Sequence, residues 1–472
     1  MKVLPLMSIV KAVYAIDYTA KNRQINIENI EFDSRKVTPG TLFVPLHGAT
    51  DGHDYIQQAM DRGAVATLWS KDPALAPSDD IACIFVDDTL DALQRLSNYY
   101  RHLIDPVVIG ITGSNGKTTT KDMTAATLAA KYRVHKTQGN YNNEIGLPYT
   151  ILKMPEDTQV LVLEMGMSGF GEIELLTKIA QPDIAAITVI GESHLEFLGS
   201  KAGIAQAKME IVKGLAPGGL LVYPGNEPLI EDLLNKEKHD FLTKRIGFED
   251  SYDVYAYDVV EEQNKTYFKT NVDDNVVSSI PVIGAYNVSN ALIALTIAQA
   301  LDIPMEQAIF NLAQFELTAH RLEWLTTHKG ADLLNDAYNA SPTSMRAILK
   351  TFASVPLEKA GRKIAVLGDI RELGPASKDL HAGLADALDP ASIQVVYLFG
   401  PEMAALYQVL KTKYAPSALH HFEENHEALA KALDQEIQED DVVLVKSSLG
   451  VDLLKVVTAL TGKETHNMLR KA

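Results

Sequence analysis

Strongly apolar strands alternate with amphipathic helices along most of the chain. The runs PVVIGITG, QVLVLEMG and DIAAITVI are apolar along their whole length, as is typical of strands covered on both faces. Helical patterns such as TTKDMTAATLAAKY and NVSNALIALTIAQAL stand between or after them. Residues 252–282 are richer in Tyr, Val and Thr and predict an antiparallel accessory hairpin. The pattern as a whole predicts a largely parallel sheet with helices between its strands.

The chain of 472 residues is long enough for three domains of ordinary size. Residues 1–104 combine short strands such as TLFVPL and IACIFV with the helical stretch DYIQQAMDRG and a loop-rich segment. After residue 318, the runs ADLLNDAY, KIAVLGD, VVYLFG and DVVLVKSS predict strands of a second doubly wound sheet. We therefore predict an α/β protein with a small α/β N-terminal domain (1–104), a central P-loop-type domain with a mostly parallel sheet (105–317) and a Rossmann-like C-terminal domain (318–472).

Composition narrows the possible functions. The formal net charge of −18 argues against a general nucleic-acid binder but leaves room for anionic small ligands. The single cysteine, Cys83, lies in the apolar run IACIFV, which excludes disulfides and favours a buried strand residue over a catalytic thiol. No apolar run reaches the roughly 18 residues of a membrane span, and Lys11 interrupts the apolar N-terminus, which predicts an amphipathic helix. We therefore predict a cytoplasmic protein without membrane insertion.

The sequence VVIGITGSNGKTTTKDM predicts a phosphate-binding loop. A buried strand ends in a loop with three glycines, and Lys117 and Thr118 open the following helix. Glycines let the backbone N–H groups turn towards phosphates, the lysine neutralises phosphate charge, and the hydroxyl reaches Mg²⁺. Because position 111 is Ile, the run reads GxxGKT instead of the strict GxxxxGKT pattern. A plain Gly-rich turn is the alternative interpretation, and the strand before and the helix after it argue against that.

Other candidate residues remain ambiguous on pattern alone. Glu164 directly follows the strand QVLVL, where a carboxylate suits Mg²⁺ or is a simple surface group. His194 follows the next strand and is either structural or a ligand. Composition alone would make Lys208 a solvated helix lysine. The loop containing Tyr141, Asn142 and Asn143 is either a set of turn formers or a polar binding loop.

Nine motifs in order then resemble the Mur ligase superfamily, and within it the MurF family of UDP-N-acetylmuramoyl-tripeptide–D-alanyl-D-alanine ligases. They are TGSNGKTTTK, TQGNYNNEIGLP, LEMGMSGFGEI, HLEFLGS, AKMEI, GAYNVSNALIA, HRLE, NDAYNASPTSM and LGDIRELG. The resemblance runs from about Asp33 to Val445. DAYNASPTSM and LGDIRELG point to this branch of the superfamily, and the DNP-type motif of the branch that adds the third amino acid is absent from the sequence.

The resemblance implies an ADP-forming, amide-bond-forming ligase that uses ATP and two Mg²⁺ ions. Its substrates would be UDP-N-acetylmuramoyl-tripeptide and D-alanyl-D-alanine, joined through an acyl phosphate by a monomeric enzyme of peptidoglycan synthesis. Lys117, His194 and Lys208 match catalytic positions, and Thr118, Glu164, His194 and a CO₂-carbamylated Lys208 match metal ligands. The matched nucleotide-binding residues are Gly113, Ser114, Asn115, Gly116, Lys117, Thr118, Thr119, Asn290 (adenine), Arg321 and Asp336 (ribose and phosphates).

The resemblance also implies substrate contacts and leaves rivals open. Asn140 and Asn143 match positions near the substrate carboxylate, and Ser34 and Arg35 match the uridine diphosphate region, where a surface arginine is the alternative. The run 446–449 reads Lys-Ser-Ser-Leu where the family commonly has Lys-Gly-Ser-Arg, so the role of that loop is in doubt. A folylpolyglutamate synthase and a nucleotide switch protein are the rival functions. The N-terminal domain argues against the first, and the second-metal residues argue against the second.

Overall fold

Sheets of mostly parallel strands form the frame of the protein. The structure is a computed structural model that describes residues 1–21, 24–77, 80–318, 321–354, 356 and 361–463. The division into domains at residues 104 and 317 stays a proposal, which the arrangement of the sheets supports. No helix in the described ranges is both long enough and apolar enough to cross a membrane.

The N-terminal region contains a five-stranded sheet and a small two-stranded one. Its elements are β1 (Leu4–Pro5), α1 (Leu6–Ala12), β2 (Asp17–Thr19), β3 (Asn26–Ile27), β4 (Asn29–Glu31), β5 (Thr41–Phe43), α2 (Ile56–Asp61), β6 (Ala64–Trp69), β7 (Ala82–Phe85) and α3 (Thr89–Ile104). The larger sheet has the order β2-β7-β6-β5-β4 and is parallel except for β2. The predicted N-terminal helix is confirmed as α1, and Cys83 is buried in β7 as predicted.

The central region contains a nine-stranded sheet. Its elements are β8 (Val107–Thr112), α4 (Lys117–Leu128), β9 (Val134–Lys136), α5 (Gly146–Leu152), β10 (Val160–Glu164), α6 (Glu172–Ala180), β11 (Ile184–Ile187), α7 (Leu195–Leu198), α8 (Lys201–Met209), β12 (Leu220–Pro224), α9 (Pro228–Leu234), β13 (Leu242–Gly247), β14 (Val254–Glu261), β15 (Thr266–Thr270), β16 (Asp273–Ile280), α10 (Ala285–Ala300) and α11 (Met305–Leu312). The order is β16-β15-β14-β13-β12-β11-β8-β10-β9, parallel from β9 to β14 and antiparallel from β14 to β16.

The prediction of a separate antiparallel hairpin at residues 252–282 is wrong about how the segment joins the sheet. The segment forms three strands, and the first of them, β14, pairs in parallel with β13 and so extends the central sheet. The Tyr- and Val-rich alternation identified strands correctly. The alternation within β14 does not indicate which strand it pairs with, because pairing also depends on the residues of the neighbouring strand.

The C-terminal region contains a six-stranded sheet in the order β17-β18-β22-β19-β20-β21. Its elements are β17 (Glu323–Thr326), β18 (Asp332–Asp336), α12 (Pro342–Ser354), β19 (Lys363–Gly368), α13 (Ser377–Ala382), β20 (Val395–Phe399), α14 (Ala404–Leu410), β21 (Leu419–Phe422), α15 (His426–Glu436), β22 (Val442–Lys446) and α16 (Leu454–Thr461). All pairs are parallel except β17 with β18, so the predicted doubly wound α/β fold is confirmed.

Alternate residues of the central strands enter cores on opposite faces of the sheet. In β10, Val160 and Val162 join the core beneath α4 and α10, whereas Leu161 and Leu163 join the core shared with the N-terminal region. All five residues of β10 are buried. Burial on both faces explains why these strands are apolar along their whole length, and it leaves their carboxyl ends as the places where polar side chains can meet a ligand.

A buried carboxylate lies where the chain leaves the central region. Asp122 accepts hydrogen bonds from the backbone N–H of Thr318 at 3.0 Å and from its hydroxyl at 2.7 Å. Its other oxygen lies 3.2 Å from Lys121 Nζ and 2.7 Å from Lys136 Nζ. Burial raises the pKa of Asp122, but the two lysines outweigh it and hold that pKa below its ordinary value. The start of the C-terminal region is thus fixed to a charged group inside the central one.

Candidate functional site

The predicted phosphate loop lies between β8 and α4, with Lys117 as the first residue of the helix. Gly116 caps the helix in the left-handed conformation, at φ 77°. The Lys117 ammonium donates a 2.9 Å hydrogen bond to the carbonyl of Gly113 and so lies across the loop. The free N–H groups of the first helical turn and this ammonium give the loop the positive character that phosphates require.

Gly116 leaves no space for a side chain. A Cβ there would lie 2.7 Å from Asn290 Oδ1 in addition to the strain of its positive φ. We expect Gly116→Ala to raise the KM for ATP at least about tenfold, because the added methyl group would displace Asn290, the predicted adenine contact, or shift the phosphate loop; tenfold corresponds to about 1.4 kcal/mol. Steady-state kinetics check this. Gly218→Ala is the control because Gly218 has φ 72° but open space around its Cβ position. Equal KM values for ATP in the two variants would contradict the assignment of the loop.

A cavity of about 210 Å³ opens beside the loop. Its lining includes six of the predicted nucleotide-binding residues, Asn115, Gly116, Thr119, Asn290, Arg321 and Asp336. Lys446, at the end of β22, also lines it and forms an ion pair with Asp336. The central region contributes the loop side of this cavity and the C-terminal region contributes the opposite side, so a bound nucleotide would contact both.

The other predicted loop residues lie against it. The Ser114 side chain is buried and exchanges hydrogen bonds with the backbone of Gly191 at 3.1 and 2.9 Å. The Gly113 position is closed by Thr188, since a Cβ there would lie 1.8 Å from the Thr188 hydroxyl oxygen. The loop is therefore held by the segment after β11, which fixes the backbone before any ligand arrives.

A second cavity, of about 570 Å³, adjoins the first at Arg321 and Asn339. Lys117, Asn143, Glu164, His194 and Arg321 are among the residues that line it. Arg321 lines both cavities, and its guanidinium lies 4.4 Å from the ring centroid of Tyr338. The buried Nε of Arg321 has no hydrogen-bond partner among the described residues. Arg321 thus lies where the two cavities meet, and the Lys117 ammonium lies in the second cavity.

Glu164 is buried at the end of β10 and contacts another predicted metal ligand. The Thr118 hydroxyl donates a 2.9 Å hydrogen bond to Glu164 Oε2, and the Asn142 amide donates one of 2.8 Å to Oε1. The interpretation of Glu164 as a surface carboxylate is therefore wrong. Hydroxyl and carboxylate oxygens are the ligands that Mg²⁺ prefers, so this pair fits a magnesium ion beside the phosphate loop.

Lys208 is almost completely buried, with 1% of its surface exposed. The interpretation as a solvated lysine is therefore wrong. Burial lowers the pKa of Lys208 well below its ordinary value, and the charge of Lys117 lowers it further. Among the described residues, none makes a hydrogen bond or ion pair with its amine. Burial also lowers the pKa of Lys117, and Arg321 lowers it further while Glu164 opposes the shift. A buried, unpaired amine beside other cations requires an explanation beyond packing.

His194 lies in the left-handed conformation, at φ 60°, directly before α7. Its Nδ1 lies 2.5 Å from Oε2 of Glu372, which belongs to the C-terminal region. The hydrogen bond from His194 holds the pKa of Glu372 below its ordinary value. With Nδ1 occupied, Nε2 is the ring nitrogen left for a ligand. The Glu372 contact was not foreseen from the sequence, although LGDIRELG contains the residue.

Of the two asparagines predicted to lie near the substrate carboxylate, one lines a cavity and the other does not. Asn143 lines the larger cavity, and its side chain accepts a hydrogen bond of 2.9 Å from the backbone N–H of Gly146. Asn140 is exposed and is not among the residues that line either cavity; its neighbour Asn142 makes the contact with Glu164 instead. Asn142, which the sequence offered as a turn former or as part of a polar binding loop, thus contacts the carboxylate predicted to bind the metal, and the substrate roles of Asn140 and Asn143 stay predictions.

Ser34 and Arg35 lie in the N-terminal region and are not among the residues lining these two cavities. The Ser34 hydroxyl donates to Gln58 Oε1 at 2.5 Å. The exposed Arg35 guanidinium binds both oxygens of Asp33, at 2.7 and 2.8 Å. A diphosphate would have to compete with Asp33 for this guanidinium, so the role of Arg35 stays a prediction.

A nearby group of His47, Asp51 and His53 has the spacing of metal ligands. However, the Lys71 ammonium lies 2.7 Å from Asp51 Oδ2, and His53 Nδ1 lies 2.7 Å from Asp51 Oδ1. The carboxylate is thus already neutralised by a lysine and hydrogen-bonded to a histidine. This cluster is better explained as a structural network of the N-terminal region.

Comparison with known proteins agrees with this geometry along the whole chain. Residues 26–101 match the model described as "Mur ligase family, catalytic domain", residues 111–298 the "Mur ligase middle domain" and residues 320–449 the "Mur ligase, glutamate ligase domain". The chain is 41% identical over 438 residues to the UDP-N-acetylmuramoyl-tripeptide–D-alanyl-D-alanine ligase of Bacillus subtilis, covering 93% of this chain and 94% of that protein. The chain belongs to the MurF family of Mur ligases.

Solved structures of this family share the fold. A crystal structure of MurF from Acinetobacter baumannii aligns with a TM-score of 0.85 at 27% identity, covering 98% of this chain and 100% of the other. The MurF ligase of Thermotoga maritima in complex with ADP aligns with a TM-score of 0.79 at 29% identity, covering 92% and 97%. The three-region architecture and the use of an adenine nucleotide are therefore properties of the family to which this chain belongs.

Proposed function

We propose that this chain joins D-alanyl-D-alanine to UDP-N-acetylmuramoyl-tripeptide at the expense of ATP, giving the pentapeptide precursor of peptidoglycan, ADP and phosphate. The observation that carries this proposal is that two cavities share Arg321 and Asn339 in their linings, with Lys117 in the lining of the second. One cavity offers a phosphate loop, and the other has room for a peptide carboxylate beside Glu164 and His194. Relatives named for this activity, from Bacillus subtilis and Escherichia coli, match 93% and 92% of this chain.

In the first step, a carboxylate oxygen of the tripeptide attacks the γ-phosphorus of ATP in line. The new O–P bond forms as the bond to the β-phosphate oxygen breaks, so ADP leaves and an acyl phosphate remains. Lys117, Arg321 and the N–H groups that open α4 stabilise the negative charge on the transferring group. Such fixed positive groups supply most of the catalysis in phosphoryl transfer.

Thr118, Glu164 and His194 are the residues that would hold Mg²⁺. The fit rests on the hydrogen bond between Thr118 and Glu164 and on the free Nε2 of His194. When bound, Mg²⁺ neutralises phosphate charge and orients the γ-phosphate. Asn142 holds Glu164 in the required orientation through its amide, as second-layer hydrogen bonds commonly do for metal ligands.

We propose further that Lys208 carries a carbamate in the active enzyme and that this group is a ligand of a second Mg²⁺. Burial and the charge of Lys117 lower the pKa of Lys208, which favours the neutral amine, and the lone pair of that amine can attack the carbon of CO₂. An N–C bond forms, one proton leaves to solvent, and the product carries one negative charge. This change of sign removes the repulsion between Lys208 and Lys117 and accounts for the absence of a described partner.

In the second step, the amine of D-alanyl-D-alanine attacks the acyl carbon. The C–N bond forms, the C–O bond to phosphate breaks, and the amine loses its proton. Water would compete for the acyl phosphate, so the site must be closed. Two contacts between the central and C-terminal regions hold the site closed. The Asn115 amide donates to the Ser341 hydroxyl at 2.8 Å, and His194 contacts Glu372.

The identity of the amine substrate distinguishes this function from the other ligase activities of the superfamily. We expect ADP release with UDP-N-acetylmuramoyl-tripeptide and D-alanyl-D-alanine, and little release when free D-alanine replaces the dipeptide. A coupled assay of ADP formation with each acceptor tests this. Higher activity with a single amino acid would place the chain in another branch of the superfamily, and activity with a folate and glutamate would contradict a role in peptidoglycan synthesis. The cytoplasmic location and the monomeric state stay predictions.

A further inference from the structure

A third cavity, of about 270 Å³, lies between the central and C-terminal regions. Glu192, Ser193 and His194 line it from the central side, and residues 370–372 and 448–450 line it from the C-terminal side. His194 and Asn339 also line the larger cavity, which contains Lys117 and Glu164. The third cavity thus adjoins the place where the acyl phosphate would form, and it is open to a second substrate.

Arg371 is the one arginine in the lining of this cavity. Its side chain is exposed, and in the described part of the chain no hydrogen bond or ion pair engages its guanidinium. The adjacent Glu372 cannot neutralise it in the observed arrangement, because that carboxylate contacts His194. An unpaired guanidinium in such a cavity fits a planar anion such as a carboxylate, which it can bind through two parallel hydrogen bonds.

The backbone ties Arg371 to the loop that follows β22. The N–H of Arg371 donates to the Ser448 hydroxyl at 3.0 Å, and the N–H of Ser448 donates to the carbonyl of Asp369 at 3.2 Å. Leu449, the next residue of that loop, lines the same cavity. Two hydrogen-bonded loops therefore form the C-terminal side of the cavity, and Arg371 lies on one of them.

We propose that Arg371 binds the terminal carboxylate of D-alanyl-D-alanine. This inference rests on the proposed function. An extended dipeptide spans roughly 7 Å. With its carboxylate on Arg371, its amine would lie towards the His194 and Asn339 edge, next to the acyl phosphate. A single D-alanine is about half as long, so it cannot reach Arg371 and the acyl carbon together, and the position of Arg371 selects for a dipeptide.

The test combines a change in the protein with a change in the substrate. Arg371→Ala should raise the KM for D-alanyl-D-alanine about ten- to a hundredfold, as expected for losing charged hydrogen bonds, while the KM values for ATP and the UDP-tripeptide stay within about twofold. D-alanyl-D-alaninamide lacks the carboxylate and should show a similarly raised KM with the wild type. With Arg371→Ala the acid and the amide should have equal KM values. An undiminished preference of Arg371→Ala for the acid would overturn the inference.

A second variant tests whether a guanidinium supplied from the other loop of the same cavity can bind the carboxylate. Leu449→Arg in the Arg371→Ala background should lower the KM for the dipeptide again and restore the preference for the acid over the amide. If the preference stays lost although the double variant has the Tm and the KM for ATP of the wild type, the two positions do not serve one carboxylate. Failure of the proposed function would look different, because the wild type itself would then not release ADP with D-alanyl-D-alanine.

Discussion

Replacing Lys117 by alanine is expected to lower the rate of ADP formation about a hundredfold or more while leaving the fold intact. The Lys117 ammonium lies across the phosphate loop and lines the cavity that would hold the reacting carboxylate. Removing a fixed group that stabilises the charge of the transition state commonly costs two to three orders of magnitude in rate. Because Lys117 packs on a ligand loop and not in a core, the Tm should stay close to that of the wild type. Single-turnover kinetics of ADP formation provide the measurement.

Lys131→Ala is a matched control for this variant. Lys131 lies just beyond the other end of α4 and donates two 3.2 Å hydrogen bonds, to the carbonyls of Leu301 and Asp302. The Lys131→Ala variant loses the same charge as Lys117→Ala, but at a distance from the phosphate loop. Its rate of ADP formation should therefore stay within about twofold of the wild-type rate. Retention of more than about a tenth of the wild-type rate by Lys117→Ala would show that the loop does not act on the γ-phosphate.

Lys208→Ala is expected to be nearly inactive and to regain part of its activity in acetate or formate. The variant removes the amine that we propose to be carbamylated, and a short carboxylate can fill the space with the same charge. The measurement is the rate of ADP formation as a function of added carboxylate. A second readout does not depend on activity: in isotopically labelled bicarbonate, the wild type should show a carbamate carbon resonance that Lys208→Ala lacks.

Lys201→Ala is the control from the same helix. Lys201 is about half exposed and pairs with Glu227 at 2.9 Å, so its loss should leave activity nearly unchanged and insensitive to acetate. Two results would contradict the proposal for Lys208. One is full activity of Lys208→Ala, and the other is a wild-type spectrum without the carbamate resonance. Inactivity that no carboxylate relieves, with the resonance present, would assign the carbamate a role other than supplying charge.

The parts of the site that the sequence predicted well are those encoded locally. A buried strand, a glycine loop and a helix follow one another within 22 residues of β8 and α4, and their order alone predicts the phosphate loop. Glu164 could be placed at a strand end for the same reason. The strands of the parallel sheets were also recognisable, because burial on both faces makes them apolar throughout.

The features of the site that the sequence pattern did not predict depend on contacts between residues far apart in the chain. Nothing in the local sequence distinguishes Lys208 from a solvated lysine, and its burial arises from the packing of α8 beneath the site. Glu372 lies 178 residues from His194, and Asn142 reaches Glu164 across 22 residues, so neither contact has a periodic signature. The family resemblance identified the segments, and only the three-dimensional arrangement showed which side chain in each segment faces the site.

The Asp122 contact with Thr318 has a practical consequence for dividing this protein into fragments. A fragment that ends at residue 317 would lose both hydrogen bonds that Thr318 donates to this buried carboxylate. Leaving a buried charged acceptor with fewer partners costs about 1–3 kcal/mol, a sizeable share of the stability of one domain. Separate expression of the ATP-binding region for crystallisation or ligand screening should therefore retain Thr318, even though that residue lies beyond the last helix of the region.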